Sequence, residues 1–278
     1  VAEDGNPRLR LMTFNVRYES AEDRGPRSWA ERLPRIVRML REESPDVFGI
    51  QEALHGQMAD LRASLPDYTF HGAGRDDGQR GGEHTAIAWR TDRFRPDPAD
   101  HGVFWLSDEP QRPGSATWGN THPRIVCWVH LADLASGKSL YIYNSHFDHR
   151  NQLSRVKSAE LLASRIAARR DPGRPVVLLG DFNAVPGNPA LRRLREGTPR
   201  PNSPAEEEGL TDTFLTLHPA QRDTTTLHFW RASRTGSLKV DHILVSPGTA
   251  IHAAAIRDSD RPPVSDHFPV TAEVSFPP

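Results

Sequence analysis

The chain has 278 residues, enough for one large α/β domain or two small ones, and 36% of them are hydrophobic, as expected of a soluble globular protein. The 35 Lys and Arg against 36 Asp and Glu leave a net charge of −1, without the basic excess that draws a protein onto long nucleic acid. No apolar run reaches the length of a membrane span.

In chain order, the sequence opens at Val1 rather than Met and reads as processed or trimmed, with no targeting segment left to interpret. "LRLMTFNV" (Leu9–Val16) reads as a strand. "SWAERLPRIVRMLREESP" then places Trp29, Leu33, Ile36, Val37 and Leu40 at helical spacing and stops at Ser44-Pro45. "DVFGIQE" is a short buried strand, "HGQMADLRASLP" a second amphipathic helix, and "HTAIAWR" alternates like a strand. A long loop rich in Pro, Gly and Trp is expected from Arg95 to about His122. "RIVCWVHLAD" and "SLYIYNSHF" are strands joined by the turn "LASGK". The lone cysteine, Cys127, sits in the first of them as a core residue, so no intrachain disulfide is possible and cysteine usage is silent on compartment.

"QLSRVKSAELLASRIAARR" is a helix and "RPVVLLGDFN" a strand. "EGTPRPNSPAEEEG" reads as a flexible loop, and "KVDHILVS" and "FPVTAEVSF" close the chain as strands. No low-complexity linker interrupts it, so residues 1–278 read as one domain. Helix–strand alternation mixed with hairpin-like neighbours predicts mixed rather than purely parallel sheets. A faint echo between "RLMTFNVR" and "SLYIYNSH" suggests two similar halves packed sheet against sheet.

Polar residues terminate the apolar strands again and again. Asn15 and Arg17 follow "LMTF", Gln51-Glu52 follows "VFGI", Asn144-Ser145-His146 follows "LYIY", and Asp181-Phe182-Asn183 follows "VVLLG". Asp241-His242 opens "ILVS", and Ser265-Asp266-His267 opens "FPVTAEV". Each alone reads as turn chemistry. Six together point to one functional rim. Carboxylates and amides without cysteine clusters suit a hard divalent cation, Mg²⁺ or Mn²⁺, better than zinc. Such an ion polarises a phosphoryl oxygen, and two histidines with candidate acidic partners would supply a base for water and a second phosphate donor. Asp181 and Asn183, at alternate positions, share a face.

The motifs "MTFNVRY", "GIQE", "NSHFDH", "GDFNAVP", "VDHILVS" and "SDHFPV" occur in the order characteristic of the endonuclease/exonuclease/phosphatase superfamily, which the chain resembles from Leu9 to about Phe276. The resemblance implies an α/β fold, a four-layer αββα sandwich like that of deoxyribonuclease I. It makes Glu52 the metal-binding glutamate, with Asn15 and Asp266 as further ligands or supporting groups. Asp181 and Asn183 resemble the pair that positions the attacking water and the phosphate. His267 resembles the general base, oriented by Asp241, and His146 the second histidine, partnered by Glu83. Arg17 stands where abasic-site endonucleases carry an aspartate, which argues against a second metal site. Arg124 resembles a phosphate-binding arginine.

His149 either extends the phosphate site or caps the next helix with Asp148. His242 reads as structural, facing away from Asp241. Trp105 and Trp118 form a substrate wall or anchor their loop, and "GDFNAVPGNPA" lacks the lysine and spacing of a P-loop. The leading expectation is a metal-dependent phosphoesterase acting on a small or lipid-like organic phosphate, and the alternative is a nuclease of the same fold. A catalytically dead binding module is disfavoured, because Glu52, Asp181, Asn183, Asp241 and His267 are all present.

Overall fold

Residues two apart on a strand share a face, and that period decides what meets between the two sheets of this protein. A computed structural model describes residues 7–197, 209–221, 224–233, 236–258 and 261–277. With strands numbered in chain order, one sheet runs β11-β12-β1-β2-β4-β3: Ala250–Ile256, Val270–Ser275, Leu9–Asn15, Val47–Ala53, His84–Arg90 and Tyr68–Gly74. The other runs β5-β6-β7-β8-β10-β9: Phe94–Trp105, Ile125–Asp133, Lys138–His146, Val176–Asp181, Asp241–Val245 and Thr211–Asp212. Both sheets are mixed, each containing one parallel pair, β1 with β2 and β7 with β8.

The sheets pack through Leu9, Leu11, Val47 and Ile87 on one side and Ile142, Val177, Leu179 and Ile243 on the other. Met12, Phe14, Phe48 and Ile50 face outward against α1 (Trp29–Glu43) and α2 (His55–Ser64). Tyr141, Tyr143 and Leu178 face outward against α3 (Gln152–Ala167) and α4 (Pro189–Glu196). The result is the four-layer αββα sandwich that the sequence led us to expect. Each fully buried aliphatic side chain contributes about 1.5–3 kcal/mol relative to exposure, so the apolar inter-sheet layer holds the two halves in place. The echo between them has a topological basis: β1-α1-β2 and β7-α3-β8 are equivalent parallel units, one per sheet.

The expected loop from Arg95 to His122 is corrected in its first part. Phe94–Trp105 is β5, an edge strand, with a register shift between Pro96 and His101. Proline cannot donate to a ladder, so Pro96 and Pro98 are tolerated at an edge beside a bulge. Strands β3 and β11 and helix α4 also went unread in the sequence. Of the expected flexible loop "EGTPRPNSPAEEEG", residues 198–208 lie outside the described residues.

One layer below the rim, a buried polar network stitches the sheets together. Gln51 Nε2 donates to Thr13 Oγ1 (3.0 Å) and Asn144 Oδ1 (2.7 Å), and Asn144 Nδ2 donates to the carbonyls of Ile50 and Ala86. A Cβ at Gly49 would stand 2.8 Å from the Asn144 amide, so only glycine fits there. Two of the strand-end polar residues, Gln51 and Asn144, therefore hold the fold together.

Candidate active site

The pleat carries each inward face from apolar to polar at the same end of the sandwich. On β1 the series is Leu9, Leu11, Thr13, Asn15; on β8 it is Val177, Leu179, Asp181. On β7 it is Leu140, Ile142, Asn144, His146, and on β10 Asp241 precedes Ile243 and Val245. Asn15 Nδ2 spans the sheets, donating to Glu52 Oε1 and Asp181 Oδ2, each at 2.9 Å. Glu52 reaches the rim because β2 is irregular between Ile50 and Ala53, and its φ is +68°. Gln51 then turns into the sheet interface and Glu52 toward the site.

Arg17 (φ +59°) and Asn183 (φ +46°) are also left-handed, a conformation costing non-glycine residues about 1–2 kcal/mol each. Fixed partners hold them there. Arg17 N donates to Asn15 Oδ1, and the Arg17 carbonyl accepts from Arg32 Nη2 and Gln57 Nε2. Asn183 N donates to Asp181 Oδ1, and Asn183 Nδ2 to the Phe147 carbonyl. Arg32 is fully buried and also donates to the Val16 and Val264 carbonyls, joining both site-bearing segments. Sequence reasoning missed it, because an arginine inside "ERLPRIVRMLR" looks like any exposed helical charge.

Asp181 is the hub of the proton-handling groups. Its Oδ2 lies 3.5 Å from His146 Nε2 and 3.8 Å from His267 Nε2. His267 Nδ1 donates to Asp241 Oδ2 at 2.9 Å, across the mouth of β10. Burial, reinforced by Asp241, pushes the Asp181 carboxyl well up, against the pull of His267 and the Asn15 hydrogen bond. Burial works against the charged form of His267, but the Asp241 and Asp181 carboxylates outweigh it and hold the imidazole well above its ordinary value. His146 goes the other way, lowered by burial and by Arg124 and Arg75.

A second hub is Glu83 Oε2. Arg75 Nη1 stands 2.6 Å from it, His146 Nδ1 3.7 Å and Arg124 Nη1 4.0 Å. Burial and Glu52 raise the Glu83 carboxyl while Arg75 and Arg124 lower it. His149 is exposed, and its Nδ1 accepts from Arg124 Nη2 at 3.2 Å. The helix after it is capped by Asn151, whose side chain accepts from Ser154 N, so His149 and Asp148 do not cap it. Arg75 went unread because "GRDDGQRGG" looks like a turn.

Asp266 lies beside Glu52 and Arg17; burial and Glu52 raise its carboxyl, while His267 and Arg17 oppose the rise. Arg17 itself pairs with Asp23 at 3.3 Å and stacks on Tyr18. His242 is buried with Asp212 (2.7 Å) and Lys239 (3.0 Å), apart from the His267 dyad. Trp105 and Trp118 are both buried anchors, donating to the Arg75 carbonyl and to Asp108 Oδ1.

Ligand atoms of Glu52, His146 and Asp181 lie within 4.8 Å of one another, as do those of Asp181, Asp241 and His267. Burial first, and then a neighbouring carboxylate, raises Asp266 (beside Glu52) and Asp181 (beside Asp241), and an oxygen-rich set of this kind fits a hard divalent cation. Asn15 presents its amide nitrogen to the acids, while its oxygen accepts from Arg17 N.

The sequence model of the Endonuclease/Exonuclease/phosphatase family matches residues 12–267. An endonuclease/exonuclease/phosphatase from Bacteroides vulgatus is similar at 31% identity and TM-score 0.86, over 98% of this chain and 100% of that one. A mannosyl-6-phosphatase from Bacteroides thetaiotaomicron is similar at 30% identity and TM-score 0.84, over 96% and 100%. Protein angel homolog 2 of Bos taurus is 26% identical over 179 residues, 61% of this chain and 31% of its own length. The chain thus spans about a third of the curated relatives it matches.

Proposed function

We propose that this chain, which belongs to the endonuclease/exonuclease/phosphatase family, is a divalent-metal-dependent hydrolase of a small or lipid-like organic phosphate. The observation that carries this reading is the placing of Asp181 within 4 Å of both imidazoles while Asn15 ties it to Glu52. Similarity to a mannosyl-6-phosphatase at 30% identity supports a small-phosphate substrate. The net charge of −1 supports it over the nuclease alternative.

Glu52, with Asp266 beside it, would hold the ion while Asn15 fixes the Glu52 carboxylate from its amide nitrogen, and bound Mg²⁺ or Mn²⁺ would polarise a phosphoryl oxygen and steady the leaving oxygen. Asp181 orients the attacking water, and Asn183 donates to a phosphoryl oxygen. The Asp181–His267 pair takes its proton as the water oxygen bonds to phosphorus and the ester P–O bond breaks, with the proton returning to the departing alkoxide. Asp241 keeps the His267 ring in line. His146 and Arg124 donate to the phosphoryl oxygens.

The test is release of inorganic phosphate or alcohol from a panel of phosphoesters after chelation and metal return. Activity should vanish with EDTA and reappear with Mg²⁺ or Mn²⁺. Full activity of metal-free protein would overturn the reading.

A further inference from the structure

Between β3 and β4 the segment "GRDDGQRGG" (Gly74–Gly82) folds back on itself. Gly74 N donates to the Gln79 carbonyl, Asp76 N to that of Gly81, and Arg75 N to that of Glu83. Asp77 Oδ1 accepts from Gln79 N and Gly81 N. Gly78, at φ +74°, lies so close to the Trp105 ring that a Cβ would stand 2.8 Å from it. Trp105 Nε1 donates to the Arg75 carbonyl at 2.7 Å, and Arg75 Nη1 donates to Glu83 Oε2 at 2.6 Å. The amide, carbonyl and guanidinium of a single arginine thus each have a fixed partner. So much construction around one side chain exceeds what a turn needs.

Arg75 and Arg124 are 9% and 4% exposed, and with His146 they line one narrow crevice. Three of their buried nitrogens, Arg75 Nε and Arg124 Nε and Nη1, have no hydrogen-bond acceptor among the described residues. The nearby carboxylates do not supply one. Glu83 Oε2 is 4.0 Å from Arg124 Nη1, and Asp76 Oδ1 is 4.0 Å from Arg75 Nε, distances of ion pairing rather than hydrogen bonding. Buried guanidinium N–H groups left without acceptors are costly; they match the oxygens of a carboxylate or a phosphoryl group, and in a phosphoesterase site the phosphoryl group is the acceptor on hand.

Counting oxygens then separates ester classes. A phosphodiester has two non-bridging oxygens and a monoester has three. Glu52 and its bound ion would engage one, and Asn183 with His146 a second. The third oxygen, which only a monoester offers, is then left for the arginine pair.

We propose that Arg75 and Arg124 together bind the third non-bridging oxygen of a terminal phosphoryl group, making the chain a phosphomonoesterase with Arg75 its specificity-determining residue. This rests on the phosphoesterase reading above and narrows it.

The test compares p-nitrophenyl phosphate with methyl p-nitrophenyl phosphate, which share a leaving group, in Mg²⁺. Wild type should favour the monoester in kcat/KM. Arg75→Gln should lower the monoester value roughly 10- to 100-fold, the scale of one or two charge-assisted hydrogen bonds, and leave the diester value nearly unchanged. Arg75→Lys, which keeps the charge and loses the fork, should restore only part of the preference. A wild-type preference for the diester, or equal losses on both substrates in Arg75→Gln, would overturn the proposal. Calorimetry of the wild-type protein with inorganic phosphate and with dimethyl phosphate needs neither turnover nor a variant. Tighter binding of phosphate supports the proposal, and equal binding defeats it. Phosphate discrimination without hydrolysis of any ester would leave the monoester-shaped site standing and remove the hydrolase reading alone.

Discussion

His267 Nδ1 donates to Asp241 Oδ2 at 2.9 Å, joining two strand-end motifs that lie 26 residues apart in the chain. Both side chains are buried, at 5% and 0% exposure, so water does not compete for this contact. The relationship makes the imidazole's orientation depend on one carboxylate.

The first prediction follows from that dependence. His267→Ala should lower kcat by about 10²–10⁴, more than it changes KM, because proton transfer acts in the transition state. Asp241→Asn should reproduce part of the loss. The double variant should be little worse than His267→Ala, since residues acting as one unit are non-additive. Steady-state kinetics on the four proteins checks this, and losses that simply multiply would show that the two act separately.

A second prediction concerns the ion. Ligand that binds only the folded state raises its stability by mass action. Millimolar Mg²⁺ or Mn²⁺ should therefore raise the Tm of wild type, and the rise should disappear in Glu52→Gln. Asn15 Nδ2 and Tyr18 N both donate to the Glu52 carboxylate, and these contacts tolerate an amide only in part, so the variant should remain folded with a modest loss of Tm. Thermal melts with and without metal decide between a missing ligand and a missing fold. A full metal-induced shift in Glu52→Gln would move the ion elsewhere.

Arg32 carries the third. It donates to carbonyls on both sides of the site, at Val16, Arg17, Arg27 and Val264, from full burial, which also lowers its pKa to about 10. Arg32→Ala strands those carbonyls and should destabilise by about 3 kcal/mol or more. Denaturant unfolding measures it. A cost within about 0.5 kcal/mol, the range of ordinary surface substitutions, would mean the network is decorative.

The fourth is a pH dependence of stability. His228 is buried, packs its ring at a tilt against Phe268 and accepts from Ala232 N through Nδ1. Burial, helped by the charges of His267 and Arg261, lowers its pKa to about 4 from 6.5. A folded-state value below the unfolded one means the unfolded chain takes the proton first. The contribution is fully present above pH 6.5 and is lost as pH falls toward 4. His228→Gln should flatten that part of the stability–pH curve, seen in urea midpoints between pH 7 and about 4.5. An unchanged slope would place the titration in other groups.

What the sequence made legible was the polar end of the central strands. Leu11, Thr13, Asn15 and Leu179, Asp181 follow a period that anyone can read, and it ends at the same rim. Less legible were elements whose local signals point elsewhere. β5 carries Pro96 and Pro98, which read as loop and are tolerated only because the strand is at an edge. β11 is "AIHAAAI", alanine-rich and weak in strand propensity, and it forms by pairing with β12. Glu52 was marked by its motif, but its left-handed backbone depends on a bulge that no local pattern announces. Arg75 and Arg32 were hidden for one reason: an arginine's role depends on what surrounds it across the fold, and charge in the sequence reads the same buried or exposed.

The account stands most directly on substrate class, measured as kcat/KM in Mg²⁺ for a hexose 6-phosphate and for plasmid and single-stranded DNA, each across a range of salt. An enzyme that neutralises many phosphates loses affinity steeply with salt, and one that grips a single phosphoryl group does not. We expect the small ester to be hydrolysed with the higher kcat/KM and with only mild salt dependence. Robust, salt-sensitive cleavage of DNA with no turnover of the small ester would contradict the account and make the chain a nuclease.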